Sequence, residues 1–73
     1  MIGMLWYDGD KKTSLVNKVE TAVAYYRKKY GQEPDFCFAN PEMLDTAEVD
    51  AGEIKVKARA SVQANHLWIG RKN

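Results

Sequence analysis

Seventy-three residues suffice for one domain and no more, and a chain of that size buries only about 60% of the surface its unfolded form exposes. With 45% hydrophobic and 29% charged residues, five Gly and two Pro, the composition excludes a disordered or collagen-like chain, and no apolar run approaches the ~20 residues of a membrane span. The net charge of +1 hides a separation: residues 1–30 carry six bases against three acids, 31–53 seven acids and no base, and 54–73 five bases and no acid.

The opening segment, apolar and aromatic over 2–7, reads as a strand stopped by Asp8-Gly9-Asp10. It has no basic n-region and meets an acid at position 8, so it does not read as a signal peptide, and the expected location is the cytoplasm. From 14 to 30 the spacing becomes helical, with Leu15, Val19, Ala22, Val23, Tyr26 and Tyr30 on one face and Lys18, Thr21, Lys28 and Lys29 largely elsewhere. A hydroxyl or Asp10 can cap its start. Arg27-Lys28-Lys29 suits the negative end of the helix dipole, and Gly31 suits a left-handed stop.

Residues 35–39 read as a short second strand, and Asn40-Pro41 as a cap opening a helical turn over 41–44. The acidic stretch 45–52, ending in Ala51-Gly52, reads as a loop. Residues 53–60 alternate, with Ile54, Val56, Ala58 and Ala60 set against Glu53, Lys55, Lys57 and Arg59, as in a half-exposed strand. A turn or bulge near Ala64-Asn65 precedes a last strand over 66–71.

The expected fold is therefore α+β: a single small β-α-β-β-β domain over 1–73, with a mixed four-stranded sheet and one long helix on one face. The first two strands, joined through a helix, should run parallel with a right-handed crossover. The last two should form an antiparallel hairpin, and the expected strand order is 2-1-4-3.

Counting layers carries the functional argument. One helix covers one face of a sheet and leaves the other open. If Ile54, Val56 and Ala58 face the helix, Lys55, Lys57 and Arg59 face outward; if Leu67 and Ile69 face the helix, His66 and Trp68 join that basic row. Trp6 has two placements, because Ile2, Met4 and Trp6 could equally be the buried set of the first strand. A tryptophan beside three cations is either covered by a partner or shielded by the Lys and Arg stems.

Candidate chemistry is sparse. Asp8-Gly9-Asp10 lacks the hydroxyl two positions on that an Asp-x-Asp-x-Thr phosphotransfer motif requires, since Thr13 lies one place too far along. Turn formation and capping account for both aspartates. Cys37 is the only cysteine and His66 the only histidine, which leaves no intramolecular disulfide and no zinc spacing. Cys37, between two phenylalanines, reads as a buried small hydrophobe. No metal, cofactor or catalytic residue is expected, and an enzyme is not.

No family resemblance is legible. RNA-recognition motifs offer an analogy of architecture only, because their Gly-Phe-rich strand and second helix are missing here. Two readings follow. The first is a non-catalytic interaction module that pairs through its open sheet face or a sheet edge, with itself or another protein. The alternative is single-stranded nucleic-acid binding, with Lys55, Lys57, Arg59, Arg71 and Lys72 on phosphates and Trp68, joined by Trp6 in one of its two placements, stacked on a base.

Overall fold

The helix forms where the apolar spacing requires it. In the computed structural model, which describes residues 2–72, strand β1 (Ile2–Tyr7) leads into helix α1 (Leu15–Tyr30). Ser14 is the N-cap and its hydroxyl accepts from the Asn17 N–H at 3.2 Å, satisfying one of the donors that a first helical turn leaves unpaired. Asp10 serves the preceding turn instead, accepting from Lys12 N at 2.9 Å and Thr13 Oγ1 at 2.7 Å. At the other end Gly31 takes φ 68°, a left-handed conformation that costs glycine little, and its N–H closes on the Arg27 carbonyl.

Strand β2 (Phe36–Ala39), a 3-10 turn over Pro41–Met43 capped by Asn40, then β3 (Glu48–Ala51), β4 (Ile54–Ala58) and β5 (His66–Arg71) complete the chain. The α+β class holds, with one helix on a mixed sheet, but the sheet has five strands in the order β1-β5-β2-β4-β3. The additional strand is part of the acidic stretch expected to be a loop. Glu48-Val49-Asp50-Ala51 also alternates, and it pairs antiparallel with β4 from Glu48↔Lys57 to Ala51↔Ile54. Gly52 and Glu53 form the two-residue turn between them. Gly52 sits at φ 69°, and Asn65 is the only non-glycine with positive φ among the described residues, so Glu53 stays at negative φ. That is the pattern of a II′ hairpin turn, whose twist matches the flanking strands.

The order 2-1-4-3 and the terminal hairpin are both overturned by the position of β5. It lies between β1 and β2 and is antiparallel to each, so β1 and β2 run in the same direction without touching. Strand β4 pairs parallel with the other side of β2. β5 takes an interior place because both its neighbours bury side chains against it: Leu67 and Ile69 are 1% and 0% exposed. β3, with Glu48 and Asp50 outward, suits an edge, where charged side chains discourage further pairing.

The core lies between α1 and one face of the sheet. Val19, Ala22 and Tyr26 from the helix meet Met4, Cys37, Ala39, Ala51, Ile54, Val56, Leu67 and Ile69, with Leu15, Val16, Val23 and Tyr30 at its margin. Lys18, expected off this face, is buried; its Nζ escapes isolation by donating to the Asp8 carbonyl at 3.1 Å. No helix among the described residues is long and apolar enough to cross a membrane.

Candidate functional site: the open face of the sheet

Strand pleating sorts the chain into two sets. Because Met4, Cys37, Val56, Leu67 and Ile69 point to the helix, the alternate residues point away from it. Register then aligns them in a row across the sheet: Leu5 beside Trp68, Trp68 beside Phe38, Phe38 beside Lys57, and Lys57 beside Glu48. Tyr7 neighbours His66 on one side of this row, and Gly3, Gly70 and Phe36 lie on the other.

Trp68 and His66 thus stand on the helix-free face with Lys55 and Lys57, as the layer count requires. The Trp68 indole lies across Gly3 of the edge strand, close enough that a β-carbon there would meet Trp68 Cζ2 at 2.3 Å. Arg59 lies just past the end of β4, and its guanidinium sits 3.9 Å from the centre of the Phe38 ring. The stem-over-ring shielding considered for Trp68 therefore falls on Phe38. The Tyr7 and His66 rings stand 5.1 Å apart, and those of Phe36 and Phe38 5.5 Å apart.

Trp6 does not join them. It points to the helix side, packs at the margin of the core, and its ring lies 5.0 Å from that of Tyr25. Its Nε1 is buried and has no hydrogen-bond partner among the described residues.

Leu5, Tyr7, Phe36 and Phe38 are the members of this face that the sequence reading did not assign to it. For β2 the signal was present, since a buried Cys37 forces both flanking phenylalanines to the other side. For β1 it was absent, because Ile2-Gly3-Met4-Leu5-Trp6-Tyr7 offers apolar residues on both faces. Leu5 and Tyr7 are 60% and 64% exposed, whereas Phe36, on the same face, is only 7% exposed.

The segment 59–65 forms a low wall beside the row. Asn40 Nδ2 donates to the Val62 carbonyl at 2.9 Å, the Arg59 N–H to the Ala39 carbonyl at 2.8 Å, and Asn65 turns the chain at φ 66°. With Leu5, His66 and Trp68 this wall encloses a shallow groove of about 430 Å³, lined also by Arg59 and Val62.

Two of the lysines on this face share one acidic neighbour. Glu48 places its carboxylate 3.8 Å from Lys55 Nζ and 4.0 Å from Lys57 Nζ, so the acidic and basic blocks of the sequence meet here across one hairpin. Asp50 stands opposite Lys55 in the register. The exposed pair of Arg27 and Glu33 ties the end of α1 to the approach to β2, and it holds the Glu33 carboxyl below the usual carboxylate range.

Cys37 belongs to the core, where burial pushes its thiol up to about 12, so it carries no thiolate at neutral pH. Among the described residues no three His, Cys, Asp or Glu side chains converge as a metal site would need. A second hollow of about 410 Å³ opens between α1 and the β3–β4 hairpin, lined by Glu20, Arg27, Glu33 and Glu53 among others. Arg27, the cation that lines it among the described residues, is already paired with Glu33. Comparison with known proteins finds no family model, no curated protein and no solved structure that matches this chain.

Proposed function

We propose that this chain is a non-catalytic interaction module that associates with itself through the open face or an edge of its sheet. The observation that carries this reading is the row Leu5–Trp68–Phe38, which runs from the edge strand to the middle of the sheet with no helix over it. Leu5 is exposed and Trp68 and Phe38 are half-buried, and a contiguous apolar row that solvent still reaches is what an association surface needs. A thin core gains from covering them. Lys55 and Lys57, with Glu48 already beside them, suit a protein surface better than a phosphate chain.

Sedimentation across micromolar concentrations tests the reading. Species heavier than the 8.3 kDa chain are expected. A monomer throughout the range overturns it.

The rival reading, single-stranded nucleic-acid binding, draws on one arrangement: Trp68 and Phe38 are neighbours on adjacent inner strands, with Arg59 over Phe38. Stacking platforms of this kind contribute about 1–3 kcal/mol per base. Against it stands Glu48, whose carboxylate occupies the field of Lys55 and Lys57. This reading requires that an oligonucleotide bind at low salt, that affinity fall as salt rises, and that Glu48→Gln strengthen it. Absence of binding at low salt ends the rival reading.

A further inference from the structure

We infer that self-association occurs by antiparallel pairing of the β1 edge with the β1 edge of a second copy, about a two-fold axis at Leu5. This inference rests on the self-association reading above and specifies its geometry.

The backbone supplies the first argument. Asp8 N donates to the Asn65 carbonyl at 2.9 Å, continuing the β1–β5 register in which Tyr7 opposes His66. In an antiparallel ladder, pairs that exchange hydrogen bonds alternate with pairs that do not. Asp8, Trp6 and Met4 therefore turn their N–H and C=O groups toward β5. Tyr7, Leu5 and Gly3 turn theirs outward, where β1 ends the sheet. Three outward residues at alternate positions, centred on Leu5, are self-complementary. Leu5 pairs with Leu5 of the second copy, and Gly3 with Tyr7 in both directions, so each outward donor meets an acceptor.

Charge chooses between the two edges. The outer strand β3 carries Glu48 and Asp50, and two such strands brought together would oppose acid to acid. β1 carries no charged residue from Ile2 to Tyr7, and none of the usual guards of a free edge, neither lysine nor proline. An uncharged edge strand of six residues is a template for pairing.

Side chains supply the third argument. Gly3 leaves space that the Trp68 indole fills from the neighbouring strand. In the Leu5-centred register Tyr7 of one copy stands opposite Gly3 of the other, against the edge of that indole. The exposed Leu5 side chains meet at the axis. The two open faces then become one continuous face, with Leu5, Tyr7 and Trp68 of both copies at its middle. The exposure of Leu5 and Tyr7 in the single chain follows from the absence of this neighbour.

Cross-linking through position 5 tests the geometry. Opposed residues in a hydrogen-bonded antiparallel pair have Cα atoms about 5.5 Å apart, inside the roughly 4.4–6.8 Å a disulfide spans. The native Cys37 is buried and does not compete. Leu5→Cys is expected to oxidise to a covalent dimer at micromolar concentration, at least tenfold faster than Lys57→Cys on the same face. Leu5→Lys, with circular dichroism matching the parent, is expected to sediment as the 8.3 kDa monomer where the parent associates.

If the parent associates but Leu5→Lys associates equally and Leu5→Cys cross-links no faster than Lys57→Cys, the β1 pairing is overturned while self-association stands. A parent that is monomeric at every concentration overturns both.

Discussion

The Trp68 indole rests on Gly3: a β-carbon at position 3 would lie 2.3 Å from Cζ2 and 2.5 Å from Cη2 of that ring. Glycine in an edge strand weakens it by adding backbone freedom and removing a packing side chain. Here the tryptophan of β5 supplies the missing surface from the adjacent strand, so the same contact strengthens the edge and fixes the indole on the face without the helix.

Gly3→Ala should therefore displace Trp68. The ring atoms cannot yield the missing ångström without moving the whole indole, and such overpacking typically costs about 1–3 kcal/mol. The measurement is urea unfolding together with the emission of Trp68 in a Trp6→Phe background, where it is the sole indole. Emission and stability both unchanged would show that the indole does not rest on position 3.

Trp6 sits on the opposite side with its Nε1 buried and without a hydrogen-bond partner among the described residues. An unpaired buried donor costs about 1–3 kcal/mol. Trp6→Phe removes that cost along with part of the ring surface, and the two changes should nearly cancel, leaving stability within about 1 kcal/mol of the parent. Trp6→Ala gains nothing comparable and should lose about 3–5 kcal/mol. Equal losses in the two variants would mean that the indole N–H is satisfied in solution.

Cys37 should resist thiol reagents in the folded protein and react once urea unfolds it. Burial raises its pKa from 9.0 in the unfolded chain to about 12 when folded. The folded state thus holds the proton that the unfolded state releases. The associated stability is complete below pH 9 and is lost as pH rises toward 12. Burial also raises Tyr26 above the usual tyrosine value, with the same sign. Cys37→Ala should flatten the alkaline limb of the stability profile, which denaturant titrations above pH 9 would follow.

At the acid end the sign reverses. Hydrogen bonds from Thr13 and Lys12 hold Asp10 below its ordinary carboxylate value, and the Arg27 guanidinium does the same for Glu33. Each contributes stability above its unfolded pKa that is lost as pH falls through the lowered folded value. Both groups are exposed, so salt should diminish the effect. Asp10→Asn combined with Glu33→Gln should shift the onset of acid unfolding less in 0.5 M salt than in dilute buffer, as circular dichroism against pH would record. Equal shifts in both media would exclude an electrostatic origin.

Much of the local structure is legible in the residues. The bounds of β1 and β5 match the 2–7 and 66–71 expected, and the helix begins one residue later than expected, at Leu15, because Ser14 is its cap. Period, caps and turn chemistry act over a few neighbours, and the chain states them directly. β3 was hidden for a related reason. Glu48-Val49-Asp50-Ala51 alternates, but acids on its outer face and a single valine look like a loop until a partner strand is known. β4 ends at Ala58 rather than residue 60 because, once the Arg59 N–H has donated to the Ala39 carbonyl, the chain turns at Ala60.

On the candidate face, Lys55, Lys57, His66 and Trp68 were readable from alternation, since a buried residue fixes its neighbours to the opposite side. The phase of β1 was not, because both of its faces are apolar. Only pairing with β5, which aligns Leu5 with Trp68, sends Trp6 to the helix and Leu5 and Tyr7 to the open face. Strand order was likewise beyond the sequence. Ladder hydrogen bonds are alike along every strand, and a choice of neighbour depends on which side chains can be buried together across distant segments. β5 lies between β1 and β2 because the shared core under α1 needs Leu67 and Ile69 at its centre, and that need exists only once the helix is packed.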